Sequence, residues 1–168
     1  TRPLSRALEL EVDSKEAAEH EYVVQDILNS LMGFATCHRS PREILRLKKL
    51  AHLKTDIEFN FEPSENISFV ELVNKLHPTA ALGAFPRTAQ SKKLLKQVRE
   101  NLNDSYFGAP FGVVVDDNLS ECLVSIRNIR LKDKEIQITS GCGVVSESEF
   151  KSELKELALK RDSVKTLF

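Results

Sequence analysis

Phe111-Gly112-Val113-Val114-Val115-Asp116-Asp117-Asn118-Leu119-Ser120-Glu121-Cys122-Leu123-Val124-Ser125-Ile126-Arg127-Asn128-Ile129-Arg130 is a run of β-formers cut once by acidic and amide residues. Phe111–Val115 and Glu121–Arg130 read as strands joined by a turn at Asp116-Asp117-Asn118. Lys132-Asp133-Lys134 makes a second turn before a third strand at Glu135–Ser140. Short strands joined by short turns predict an antiparallel meander. Gly141-Cys142-Gly143-Val144-Val145 follows, and Ser146 and Ser148 lead into a helix over Glu149–Leu167.

Working back toward the N-terminus, Asp13-Ser14-Lys15-Glu16 has the form of a capping box. Ala17, Ala18, Tyr22, Val23, Ile27, Leu28, Leu31 and Met32 then repeat at three and four, which predicts an amphipathic helix ending near Gly33. Ala7–Val12 alternates and reads as a short strand. Thr55, Ile57, Phe59 and Phe61 alternate with polar residues as a half-buried strand does, and Ile44–Leu53 reads as an edge strand. Pro63-Ser64-Glu65-Asn66 is a loop, Ile67–Lys75 a short helix, and Thr88–Leu102 a basic-faced helix capped by Thr88. The order predicts an α+β chain whose antiparallel β-sheet packs with helices.

Lys and Arg number 24 and Asp and Glu 25, so the formal charge is −1, which argues against nucleic acid as a partner. No apolar run approaches the roughly 18–20 residues of a bilayer span, and no signal peptide is visible. Cys37, Cys122 and Cys142 are odd in number and lack metal-ligand spacing. Together these predict a cytoplasmic protein that meets neither membrane nor nucleic acid. Thr1-Arg2-Pro3 reads as the middle of a longer sequence.

Two features could carry chemistry. Glu16/Glu19 and Glu153/Glu156 are Glu-x-x-Glu steps, each placing two carboxylates on one helix face. Brought together they would form an oxygen-rich cage for a hard divalent cation. Left apart they are solvated helix faces, the default for exposed Glu. Gly141-Cys142-Gly143 could offer free N–H groups to an anion or be a plain turn. Lys160 lies four residues past Glu156. Arg127, read as mid-strand, faces solvent or clamps an anion. His52 and His77 read as packing residues rather than ligands, and no nucleophilic Cys or hydroxyl triad is visible.

Leu76-His77-Pro78-Thr79-Ala80-Ala81-Leu82-Gly83-Ala84-Phe85-Pro86-Arg87 resembles the His-Pro-Thr-Pro-Ala-x-x-Gly-x-Pro-Arg segment of the chorismate-utilising enzymes, in their isochorismate synthase branch. Glu19-His20-x-x-Val23-Val24 is similar to that family's first Mg²⁺-ligand helix, and His52-Leu53-x-Thr55 to its His-Leu-x-Thr strand. Tyr106-Phe107-Gly108-Ala109-Pro110-Phe111-Gly112, Ile126-Arg127, Gly141-Cys142-Gly143-Val144-Val145 and Glu153-x-x-Glu156-x-x-x-Lys160 resemble later family segments in order, and Thr1-Arg2-Pro3 the tail of a Gly-Thr-Arg-Pro segment.

The resemblance implies the C-terminal half of the chorismate-binding enzyme fold, with residues 1–168 as one domain and the N-terminal half absent. It implies chorismate as substrate and Mg²⁺ as cofactor, held by Glu19 and Glu156, with Glu16 and Glu153 holding metal-bound waters. Arg127, Lys160, Thr79 and the Gly141, Cys142 and Gly143 turn would bind substrate. His52 and Ala81 would lie near the reacting centre, and a small Ala81 favours water over ammonia as nucleophile. The family's general base Lys and general acid Glu lie upstream of the Gly-Thr-Arg segment and have no match here, so the chain alone should be nearly inactive. Ala80, Cys142 and Ala84 depart from the family's usual residues. The implied activity is Mg²⁺-dependent isomerisation of chorismate to isochorismate, serving menaquinone or siderophore synthesis. The alternatives are a lyase making salicylate, anthranilate or aminodeoxychorismate, or a non-catalytic domain of the same fold. An apolar sheet face left open would make the chain self-associate or retain its missing half.

Overall fold

The computed structural model describes residues 2–48, 50–62, 65–100, 106–116 and 119–166. In chain order the elements are β1 (Arg2–Pro3), a 3-10 turn (Leu4–Arg6), α1 (Glu9–Val12), α2 (Ser14–Leu31), β2 (Ala35–Arg39), β3 (Glu43–Arg46), β4 (Leu50–Lys54), β5 (Ile57–Phe61), α3 (Phe69–Leu76), α4 (Ala89–Arg99), β6 (Pro110–Val114), β7 (Ser120–Val124), β8 (Arg130–Lys132), β9 (Glu135–Gln137) and α5 (Phe150–Lys165). Every strand pair is antiparallel, so the chain is α+β as its sequence predicts. No helix among the described residues is long and apolar enough to cross a membrane. Thr1, Pro63 and Ser64, the turn residues Asp117 and Asn118, and the expected helix ends at Leu102 and Leu167 lie outside the described residues.

The chain divides into two compact units. The first takes in residues up to His20, Arg42–Lys54 and everything from Ser125 on; the second takes in Glu21–Pro41 and Thr55–Val124. The division falls inside α2.

In the first unit β4 is the middle strand of a β1-β4-β3 sheet, with Arg2 opposite Ala51 and Leu45 opposite His52. Its core is Ala7, Leu10 and Ala51, flanked by Leu4, Ile44 and Leu53. A fully buried leucine such as Leu10 contributes about 2 kcal/mol by leaving water. Asp13 Oδ1 accepts the Glu16 N–H at 3.0 Å, which starts α2 as the capping reading predicts. β8 and β9 form a hairpin closed by Asp133 and Lys134, both at positive φ.

In the second unit β2 pairs with β5, Cys37 facing Phe59, and β6 pairs with β7, Gly112 facing Cys122. A Cβ on Gly112 would meet the Glu121 carbonyl oxygen at 2.1 Å, so only glycine permits this register. Gly33 at φ +83° ends α2 where the sequence expected it. Ser68 and Glu71 form a capping box on α3, and Thr88 caps α4 as predicted. The β6–β7 ribbon leaves Phe111, Val113 and Leu123 more than half exposed.

The structure departs from the sequence reading at five places. Ala7–Val12 is not a strand: Ala7 and Leu8 turn into α1 (Glu9–Val12), where Ala7 and Leu10, three apart, are the buried pair, while Leu8 and Val12 face water. Six residues of Ala, Leu, Glu and Val carry either period, and burial at a spacing of three decides it. Ile44–Leu53 is two strands, and the second is central rather than an edge. Glu121–Arg130 is not one strand. Asn128 donates its amide to the Ser125 carbonyl and hydroxyl, at 2.8 and 2.7 Å, and Arg127 sits at φ +54°. This local turn outcompetes the ladder, so the expected meander becomes two hairpins, one in each unit. β2, at Ala35–Arg39, has no counterpart in the sequence reading. On α2 the buried residues are Val24, Asp26 and Leu31, whereas Tyr22 and Met32 are exposed.

Candidate functional site

The acids singled out from sequence all fall in the first unit. Capping by Asp13 fixes the opening turn of α2, which carries Lys15, Glu16 and Glu19. The opening turn of α5 carries Glu153, with Glu156 one turn on. Lys15 joins the two helices. Its ammonium donates to Glu153 Oε1 at 2.5 Å, across 138 positions of sequence, and lies 3.0 Å from Glu19 Oε1. Glu153 is buried, and Ser148 and Cys142 also interact with its carboxylate. Arg2 pairs with Asp13 and lies 3.4 Å from Glu16 Oε1. A cleft of about 200 Å³ opens over this cluster, lined among others by Asp13, Lys15, Glu16, Glu153 and Glu156.

The glycine turn reaches the same acids. A Cβ built on Gly143 would lie 3.4 Å from Glu19 Oε2. Lys160 Nζ donates to the Gly141 carbonyl at 2.8 Å and pairs with Glu156 Oε1 at 2.5 Å. Lys160 is thus held between turn and helix. Arg161 steadies the preceding residue through the Ser140 hydroxyl at 3.0 Å.

Burial dominates the electrostatics. It holds the Glu19 carboxyl above the usual carboxylate range; Lys15 opposes this and the charges of Glu16 and Glu156 reinforce it. Burial acts the same way on Glu153, but the Lys15 ammonium and the Ser148 hydroxyl outweigh it, and that carboxyl titrates below its ordinary value. Lys15 is desolvated too, yet its two carboxylate partners hold it above the ordinary lysine range. Desolvation, aided by the charges of Arg127 and Lys160, pushes His52 down to about 4, so it is neutral at pH 7. Burial and the Glu153 charge raise the Cys142 thiol. Burial lowers Arg127, and Glu156 partly counters it.

Whether these residues suit a divalent cation can be judged from their oxygens. Glu153 Oε2 is buried without a hydrogen-bond partner, and buried Glu19 Oε1 has the Lys15 ammonium at 3.0 Å. Hard anionic oxygens short of donors suit a hard cation in kind. Among the described residues, however, no three His, Cys, Asp or Glu side chains stand in a ligating arrangement. Ammonium and guanidinium groups neutralise the acids instead.

Thr79 and Ala81 belong to the second unit, in the segment between α3 and α4. That segment is fastened by residues the sequence reading passed over. Asp26, almost fully buried on α2, accepts the Ala80 N–H at 2.7 Å and two Arg87 guanidinium bonds at 2.6 and 2.8 Å. Arg87 also donates to the Lys75 and Leu76 carbonyls at 3.0 and 2.8 Å. One signal for Asp26 was in the sequence: it lies four past Tyr22 and three past Val23, a charge inside the apolar stripe. Lys15 was passed over as well, although it precedes Glu19 by four.

The family model described as chorismate binding enzyme matches residues 5–167. The chain is 30% identical over 155 residues to isochorismate synthase MenF of Bacillus subtilis, covering 91% of this chain and 32% of that protein. It is 29% identical to the salicylate biosynthesis isochorismate synthase of Pseudomonas aeruginosa, covering 90% and 32%, and 27% identical to isochorismate synthase EntC of Escherichia coli K12, covering 92% and 39%. The chain therefore spans about a third of the length of these relatives. With nearly every residue inside the matched region, it belongs to the chorismate binding enzyme family.

Proposed function

We propose that this chain carries the metal- and carboxylate-binding side of an enzyme that isomerises chorismate to isochorismate. The observation that supports this best is the convergence of two acid-bearing helix starts, 138 positions apart, on one shared ammonium, beside a glycine turn that holds Lys160. Solvated helix faces would have no reason to meet.

Glu19 and Glu156 would hold Mg²⁺ directly, and Glu16 and Glu153 through water. When bound, Mg²⁺ would supply Lewis-acid withdrawal of charge from a substrate carboxylate. Chorismate is a dicarboxylate, and cationic and N–H donors are what such a ligand needs. Lys160 is already oriented by Glu156 and the Gly141 carbonyl, so its ammonium loses little freedom on taking up an anion. Arg127, on a tight turn, presents a planar fork suited to a carboxylate. The turn around Cys142 would add polar contacts. His52, neutral and partly buried, is suited to hydrogen bonding rather than to carrying charge. The proton-transferring Lys and Glu would come from sequence outside these 168 residues, so the chain is expected to bind without turning over. The exposed apolar side chains of the β6–β7 ribbon would be covered by that remaining sequence or by a second copy.

Calorimetry tests the binding reading. Chorismate should bind this chain only with Mg²⁺ present, and Glu156→Gln and Glu19→Gln should each abolish that Mg²⁺-dependent binding. Chorismate binding that ignores Mg²⁺, or Mg²⁺ binding unchanged in both variants, would overturn it. Light scattering should show association at high concentration; a clean monomer counts against the covered ribbon.

A further inference from the structure

A cavity of about 410 Å³ opens in the second unit between α3, α4 and the segment joining them. Lys92, Lys96 and Arg99 line it from α4. They stand four and three apart, on one helix face. Arg87 lines it too, but its charge is matched by Asp26. No Asp or Glu is among the lining residues, and none of the three α4 cations makes an ion pair among the described residues. Like charges at this spacing repel by a few tenths of a kcal/mol per pair, and no acid among the described lining residues repays that.

The rest of the lining argues for a small occupant rather than a surface. Pro78, Ala84 and Leu95 give an apolar floor, while Asn74 and His77 add hydrogen-bonding groups. The lining sets six polar or charged side chains against three apolar ones in a concave site of several hundred Å³, a balance suited to a charged small molecule. A purely solvated basic helix would have no floor. The chain's net charge of −1 also means that the basic character is local, not a feature of the whole surface.

We propose that this cavity binds a small polyanion, a molecule bearing two or more carboxylate or phosphate groups on a compact body, through Lys92, Lys96 and Arg99. Lys92 and Arg99 stand seven residues apart, about 10 Å along the helix axis, a span that suits two or three anionic groups at once. The apolar floor takes the body of the ligand.

Citrate and inorganic pyrophosphate, titrated separately into the 168-residue chain at low salt, serve as carboxylate and phosphate probes. At least one should bind with one-to-one stoichiometry and a dissociation constant below about 1 mM, weakening as salt is raised. A preference for one probe names the anionic group; equal affinity means that charge alone is read. The double variant Lys92→Ala, Lys96→Ala should weaken binding by at least about tenfold. Lys93→Ala, on the same helix but outside the cavity lining, should change it less than about twofold. All three lysines are exposed, so these variants keep the fold. Failure of both probes to bind at about 10 mM overturns the proposal. So does an equal loss from Lys93→Ala, or tighter binding of a single-stranded oligonucleotide than of either probe.

Discussion

Replacing Asp26 by Asn keeps the side chain's size and removes its charge. Asp26 receives three hydrogen bonds, two from the Arg87 guanidinium and one from the Ala80 N–H, and is only 2% exposed. An amide offers one acceptor oxygen, and its NH₂ must then face a donor. Arg87 keeps its two backbone carbonyls, Lys75 and Leu76, but its charge loses its counter-ion. Breaking a buried pair from one side costs about 3–5 kcal/mol. The Arg87 side chain is 23% exposed, which places this pair at the lower end, about 3 kcal/mol. With a urea slope of about 2 kcal/mol per molar, the midpoint should fall by about 1.5 M. Arg87→Met alone should cost a similar amount, because it strands the buried carboxylate. The double variant should cost less than the sum by about 2 kcal/mol, the coupling energy of the pair. Urea unfolding followed by circular dichroism reads all four proteins. A midpoint within about 0.3 M of the parent for Asp26→Asn, or additive losses, would show that the clamp contributes no net stability and refute the reasoning.

Lys15→Met should raise Mg²⁺ affinity several-fold in calorimetry, because the ammonium on Glu19 and Glu153 no longer competes with the metal; unchanged or weaker binding would mean that the acids do not receive the cation. His52 should make stability pH-dependent. Its folded pKa of about 4 lies below the unfolded value near 6.5, so the unfolded chain holds more protons in between. Its contribution is therefore complete above about pH 6.5 and is lost as pH falls toward 4, by about 1–2 kcal/mol once the solvent screening of a partly exposed ring is allowed for. The urea midpoint of His52→Gln should fall less over that window than the parent's; equal slopes would place the pH dependence elsewhere.

The α+β class, the caps at Asp13 and Thr88, the helix end at Gly33 and the ordered segments of the chorismate binding enzymes were legible because each is written in adjacent residues. What was not legible depends on partners far along the chain. β2 is a strand because β5 pairs with it, and nothing between Ala35 and Arg39 alternates strongly enough to announce that. Arg127 leaves its expected strand because Asn128 turns back on Ser125, a side-chain choice that competes with a ladder only when the ladder is short. The acids show the same limit. Spacing placed Glu16 with Glu19 and Glu153 with Glu156, but not the first pair with the second; Lys15 does that, by answering two carboxylates at once. A sequence reading that asks which acids could bind a cation passes over the cation already in the chain. The same holds for Asp26. A lone acid in an apolar stripe has to be neutralised by something, and the search for that partner leads to Arg87 and so to the segment both residues fasten. In this chain the charges that break a pattern locate the tertiary contacts, and the charges that follow one locate the surface.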